Sequence, residues 1–209
     1  MGKQTGSAEL QLQSAIAHAN AGQHAAALAQ CEQGLAVDPQ HPALLQLLAV
    51  LCLKQGVLPR AAEAIAASLA SRPDHPPSLV VAAEVASASG EGRKAVARLL
   101  RAATLAPRDA EICFALALAL QDAGDLEAAT AALERVLMLG PPRVEAEVNL
   151  GILWQERGQI ETAMRAYGRA YRLRPDSFGR IAQALSSASR GRLWLELDAL
   201  RQALQAAPA

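Results

Sequence analysis

Residues 144–176 read VEAEVNLGILWQERGQIETAMRAYGRAYRLRPD, and the places of three residues in this stretch decide the fold. Gly158 divides two runs of helix-forming residues. A glycine there closes the last turn of the first helix in the left-handed region, where a side chain would clash. Ala163 lies on the second run, where its small side chain lets two helices approach closely. Pro175 follows the second run and stops it, because proline has no N–H and its ring clashes with the preceding turn. The stretch is therefore a helix, a tight turn and a second helix, ended by a proline.

Working outward, each mark recurs every 34 residues. The glycines are Gly22, Gly56, Gly90, Gly124 and Gly158. The alanines are Ala27, Ala61, Ala95, Ala129 and Ala163, and the prolines are Pro39, Pro73, Pro107, Pro141 and Pro175. Small residues also hold one place on each first helix, at Ala15, Ala49, Ala83, Ala117 and Gly151. A fixed period of this size signals a stack of identical helical units.

The stretch 144–176 resembles the tetratricopeptide repeat (TPR) family. Asn149-Leu150-Gly151, Trp154, Gly158, Ala163, Tyr167, Ala170 and Pro175 occupy that family's consensus places. The other units keep the small, glycine and proline marks and replace aromatics with aliphatics. The resemblance implies an all-α fold, a right-handed superhelical solenoid of antiparallel helix pairs, about six in number. It sets a flexible tail at 1–7 and five units at 8–41, 42–75, 76–109, 110–143 and 144–177. A divergent sixth pair and tail fill 178–209. In that last unit Leu193, Leu197, Leu200 and Leu204 make one apolar stripe, widened by Trp194 and Leu195. Either the stripe folds wholly inward or Trp194 and Leu195 dock on something.

Composition narrows the function. Of 209 residues, 52% are apolar and only 3% aromatic, a mixture that favours helices over a β-sandwich. The 20 basic residues balance the 20 acidic ones, so no broad basic field is present to attract nucleic acid or an anionic membrane surface. The arginines Arg165, Arg169, Arg172 and Arg174 cluster on one helix and read as a solvated face. The N-terminus lacks the apolar core of a secretory signal, and the run Ile112–Leu120 is too short to span a bilayer. A cytoplasmic location is the expectation.

No catalytic group, metal or cofactor is expected. Cys31, Cys52 and Cys113 lack metal-ligand spacing, and each falls on a repeat place that other units fill with a core residue. His41 and His75 share one loop place in successive repeats and read as solvated, because no further ligands converge there for zinc. No nucleophile elbow, zincin motif or phosphate loop is present.

The resemblance implies that first helices line an inner surface that takes a partner protein or peptide. The candidate residues on it are Leu12, Ile16, Leu47, Val50, Lys54, Val80, Glu84, Phe114, Leu118, Gln121, Asn149, Ile152 and Gln155. Successive places four apart share one helix face. Two readings stay open: an apolar groove suited to a peptide or amphipathic helix, or side chains packed against neighbouring helices. Only Asn149 matches the asparagine with which many such arrays bond a peptide backbone. The expected function is a scaffold or adaptor. The alternatives are the accessory module of a larger enzyme (glycosyltransferase, methyltransferase or oxygenase) or of a secretion or assembly machine, and a structural protein that self-associates through its C-terminal helix.

Overall fold

The computed structural model describes residues 2–187 and 197–208. They divide into two compact units, 1–107 and 108–209. The first unit holds three helix pairs: α1 (Gly2–Asn20) with α2 (His24–Val37), α3 (Pro42–Lys54) with α4 (Leu58–Ser71), and α5 (Pro76–Ala88) with α6 (Gly92–Leu105). The second holds α7 (Ala110–Asp122) with α8 (Leu126–Leu139), and α9 (Val144–Glu156) with α10 (Ile160–Leu173). A 3-10 turn at Pro175–Ser177 then leads to α11 (Phe178–Ser187) and α12 (Leu197–Ala206). All regular structure among the described residues is helical.

The sequence marks act as their chemistry requires. Gly22, Gly56, Gly90, Gly124 and Gly158 all have positive φ, from +73° at Gly22 to +80° at Gly124. A Cβ on Gly22, Gly56, Gly90 or Gly124 would meet nothing within 4 Å, so the demand for glycine there is purely one of backbone conformation. Each of the five glycines sits in the same C-terminal motif, in which the next N–H reaches back five residues. Gln23 bonds the His18 carbonyl, Val57 that of Cys52, Glu91 that of Ala86, Asp125 that of Leu120 and Gln159 that of Trp154, all at 2.8–2.9 Å. These bonds satisfy carbonyls that the helix end would leave open.

The small residues sit where helices cross. Ala15, Ala49, Ala27 and Ala61 are fully buried in the first unit, and Ala129 and Ala163 in the second. At Gly151 the fit is closer still, because an added Cβ would overlap the Tyr167 ring. Glycine and tyrosine at these two places are one adaptation: the ring fills the volume that an alanine–aliphatic pair fills elsewhere.

Within the first unit α2 packs on α3, α4 on α5, and the first helices touch their successors, α1 with α3 and α3 with α5. Leu44, Leu48, Leu51, Cys52 and Ile65 centre this core. In the second unit α8 packs on α9, α11 on α9, and α12 on α10. Its core gathers Val148, Tyr167, Ile181, Leu200 and Leu204.

The chain's start differs from the sequence expectation. Residues 2–7, read as a flexible tail, belong to α1. The only interior breaker there is Gly6, which costs a helix about 1 kcal/mol relative to alanine, too little to end one that is anchored by Ala8, Leu12 and Ala15.

Candidate partner-binding face

In the first unit the first helices leave one stripe open. On α5, Ser78, Leu79, Val81, Ala82, Ala83, Val85 and Ala86 are buried. Val80 is half-buried, and Glu84, Ser87 and Ala88 are exposed. The open residues are spaced by three and four, so they make a single face. On α3 the same face carries the half-buried Leu47, Val50 and Leu53 and the exposed Lys54. On α1 it carries Ile16, 43% exposed. Leu12, expected on this face, is instead buried in the core.

Glu84 interrupts this row of aliphatic side chains. Its surface is exposed, yet the protein mass around it removes enough water to push its carboxyl pKa up from the ordinary value. On the neighbouring helix, Gln46 accepts a hydrogen bond from the Ser78 hydroxyl at 3.0 Å, which ties α3 to α5. Ser68 donates to the Pro42 carbonyl at 2.8 Å.

In the second unit α7 keeps an open place at Leu118, 37% exposed, with Phe114 and Gln121 half-buried. The Arg143 guanidinium lies 4.1 Å from the centre of the Phe114 ring and donates to Glu111 at 2.7 Å. The inner places of α9 are mostly closed. Asn149 is buried and its amide oxygen accepts from Arg180 of α11 at 2.9 Å. Gln155 is buried, accepts from the Tyr167 hydroxyl at 2.8 Å and donates to the Ala184 carbonyl at 3.4 Å. Burial pushes the Tyr167 phenol pKa up, so the hydroxyl stays a donor. Ile152 is half-buried against the same core. Asn149 and Gln155, read from sequence as partner-binding groups, therefore hold α9 to α10 and α11. Both amides are engaged within the protein, and the asparagine match carries no free site.

The C-terminal stripe folds inward at its last two leucines. Leu200 and Leu204 are buried, whereas Leu197 is exposed. Arg172 donates to the carbonyls of Leu204 at 3.3 Å and Ala207 at 2.8 Å, a cation satisfying the C-terminal end of α12. Trp194 and Leu195, expected as a docking point, lie outside the described residues. A cleft of about 490 Å³ between α10 and α12 is lined by Ile160, Met164, Arg165, Ala203 and Ala207. The repeat register alone held no sign of it, since it depends on how α12 seats on Gly168, where a Cβ would crowd Ala207 and the Leu204 carbonyl.

In the arginine cluster Arg165, Arg172 and Arg174 are exposed and Arg169 is half-buried, a largely solvated face that also makes ion pairs. Arg169 donates to the buried Glu147 at 2.8 Å and Arg174 to Glu145 at 3.1 Å. A backbone hydrogen bond, together with Arg174 and Arg143, holds the Glu145 carboxyl below the usual range. The two loop histidines are helix caps: His41 Nδ1 accepts from the Leu44 N–H and His75 Nδ1 from the Ser78 N–H, each at 3.3 Å. Asp109 takes the same role on α7. The three thiols are buried and reduced, and burial pushes Cys31 up to about 11, far from a reactive thiolate. Among the described residues no three His, Cys, Asp or Glu side chains are grouped to hold a metal, and no helix is long and apolar enough to cross a membrane.

Paired helices joined by a positive-φ glycine and repeated every 34 residues define a helical repeat protein. Two family models for the tetratricopeptide repeat match residues 18–83 and 114–178. The chain belongs to the tetratricopeptide repeat family. No curated protein matches it. Among solved structures it is similar to the MamA protein, at 18% identity over 85% of this chain and 95% of that one, with a TM-score of 0.72. It is also similar to TTC0263, a thermophilic TPR protein of Thermus thermophilus, at 26% identity over 86% and 99%, with a TM-score of 0.66. A third is YrrB, described as a TPR protein with an unusual peptide-binding site, at 19% identity over 79% and 86%, with a TM-score of 0.68.

Proposed function

We propose that this chain is a non-catalytic scaffold that holds a partner peptide or helix against the open stripe of its first helices. The observation that carries this reading is the stripe itself. In the first unit Ile16 of α1, Leu47, Val50 and Leu53 of α3 and Val80 of α5 stay open or half-open on helices that touch in turn, and in the second unit Leu118 keeps the same repeat place as Ile16, 37% exposed. Contiguous open apolar surface marks an interaction site, and aliphatic anchors spaced along a face suit a helix or an extended segment. The buried free thiols fit a reducing compartment. The likeness to YrrB, whose description names a peptide-binding site, favours a peptide as one form of the partner.

The test is recovery of partners from the native source with the wild-type chain and with Leu118→Asp. Leu118 is exposed enough for the substitution to leave the helical circular dichroism unchanged. Partners recovered by the wild type should be lost from the variant. Retention of the same partners by a folded Leu118→Asp chain would place binding on another surface.

A further inference from the structure

The open face of the first unit carries one carboxylate with no partner. On other surfaces of this unit Glu32, Asp74 and Glu91 pair with Arg60, Arg101 and Lys94, while the exposed Glu63 of α4 stands unpaired among the described residues. Glu84 makes neither an ion pair nor a hydrogen bond among the described residues. It stands where α1 has Ile16 and α3 has Val50, so a charge occupies an otherwise aliphatic row. Val80 lies one turn before it on α5, and α3, which carries Val50, touches α5 directly. Lys54 at the end of α3 is the one basic residue on this face. It is exposed and likewise forms no ion pair among the described residues.

A lone carboxylate amid aliphatic side chains costs the free protein, since burial disfavours its charged form. That cost turns into selectivity when a partner brings the opposite charge: an apolar segment without a cation would bury Glu84 unpaired, whereas one carrying a cation would not. We propose that the α1–α3–α5 face takes an amphipathic segment that seats aliphatic side chains on Val50 and Val80 and places a lysine or arginine on Glu84. The proposal rests on the inner-face reading above and adds the chemistry of the partner. Charge complementarity selects the occupant: Glu84 sets the face's one anion a turn after Val80, while Lys54, the one cation, lies a turn beyond Val50 at the end of α3.

The experiment pans a phage-displayed library of random dodecamers on the full chain and measures the affinity of the enriched peptides by fluorescence anisotropy. The enriched peptides should carry Lys or Arg three or four residues from an aliphatic residue. Their affinity should fall about tenfold with Glu84→Gln, as expected for a partly solvated hydrogen-bonded ion pair. Panning on Glu84→Lys should select Asp or Glu at that position instead. Val50→Asp should abolish binding, with Val50→Ser as the gentler variant should the first unfold. Peptides that depend on Val50 but bind Glu84→Gln unchanged overturn the charge assignment and leave the inner-face reading standing. Peptides indifferent to both changes, or no enrichment at all, overturn the charge assignment together with the use of this face. Concentration-dependent dimerisation lost in Val50→Asp would show a second copy as the occupant and overturn it also.

Discussion

Helices α3 and α9 hold the same place in their repeats, yet two inner places that are half-open on α3 are closed on α9. Leu47, Val50 and Leu53 of α3 are half-buried and Lys54 is exposed. At the matching inner places of α9, Asn149 and Gln155 are buried, Ile152 is half-buried and only Glu156 is exposed. The difference lies in the next helix pair along the chain. After α3 comes α5, which brings a small contact, the Ser78 hydroxyl on Gln46. After α9 comes α11, which brings Arg180 onto Asn149 and the Ala184 carbonyl onto Gln155, while Tyr167 of α10 grips Gln155 from the other side. An inner place thus becomes a surface or a seam according to the polar groups of the next pair. The side chain at the place does not decide it alone.

The largest effect should come from breaking the Tyr167 seam. Tyr167→Ala removes a fully buried ring and a partner of Gln155, and should cost about 3–5 kcal/mol in urea unfolding. Gly151→Ala alone should cost about 1–3 kcal/mol, because its Cβ overlaps that ring. In the Tyr167→Ala background the same Gly151→Ala change should be neutral or stabilising, since the overlap is gone and alanine is the better helix former. Simple additivity of the two changes would show that ring and glycine are not one adaptation.

The polar seam can be tested more gently by making α9 resemble α3. Asn149→Leu copies Leu47 and frees the exposed Arg180 to return to water. The loss should be about 1 kcal/mol, the worth of one part-buried hydrogen bond. Amide hydrogen exchange in α11 should quicken. Leu47→Asn on α3 should leave the exchange of α5 unchanged, because Ser78, which holds the repeat place of Arg180 on α5, is short and already donates to Gln46. Equal responses in α11 and α5 would erase the distinction between seam and surface.

What the sequence made legible were the residues whose reason is their own backbone or size. Gly56 or Gly158 can be read in isolation, because a left-handed turn needs glycine whatever packs near it. Ala61 and Cys52 can be read from register, because their places are core in neighbouring units. Asn149 could not be read this way. Its chemistry is that of a peptide-binding amide, and its fate was decided by Arg180, which lies in the divergent last unit where the register offers least guidance. The histidines failed for a related reason. At the place where α7 has Asp109, a recognised capping residue, α3 and α5 have His41 and His75. Imidazole is a less familiar cap, although neutral Nδ1 accepts an N–H as a carboxylate does.

The smallest effect concerns that cap at the edge of the open α3–α5 contact. Burial, with Arg72 nearby, lowers the His75 pKa from its ordinary value, so the folded chain prefers the neutral ring. Protonation would remove the acceptor that holds the Ser78 N–H and would set a positive charge at the N-terminus of α5, where the helix dipole disfavours it. The folded state then binds fewer protons than the unfolded one between their two pKa values. The stabilisation is complete above the unfolded value of about 6.5 and is lost as pH falls through the lower folded value. Urea midpoints should therefore drop between pH 7.5 and 5.5 by the equivalent of less than about 1 kcal/mol, the usual worth of a cap. His75→Asp supplies a carboxylate acceptor, the kind of cap that Asp109 provides on α7, and should flatten the decline. An equal decline in the variant would assign the pH response to another group.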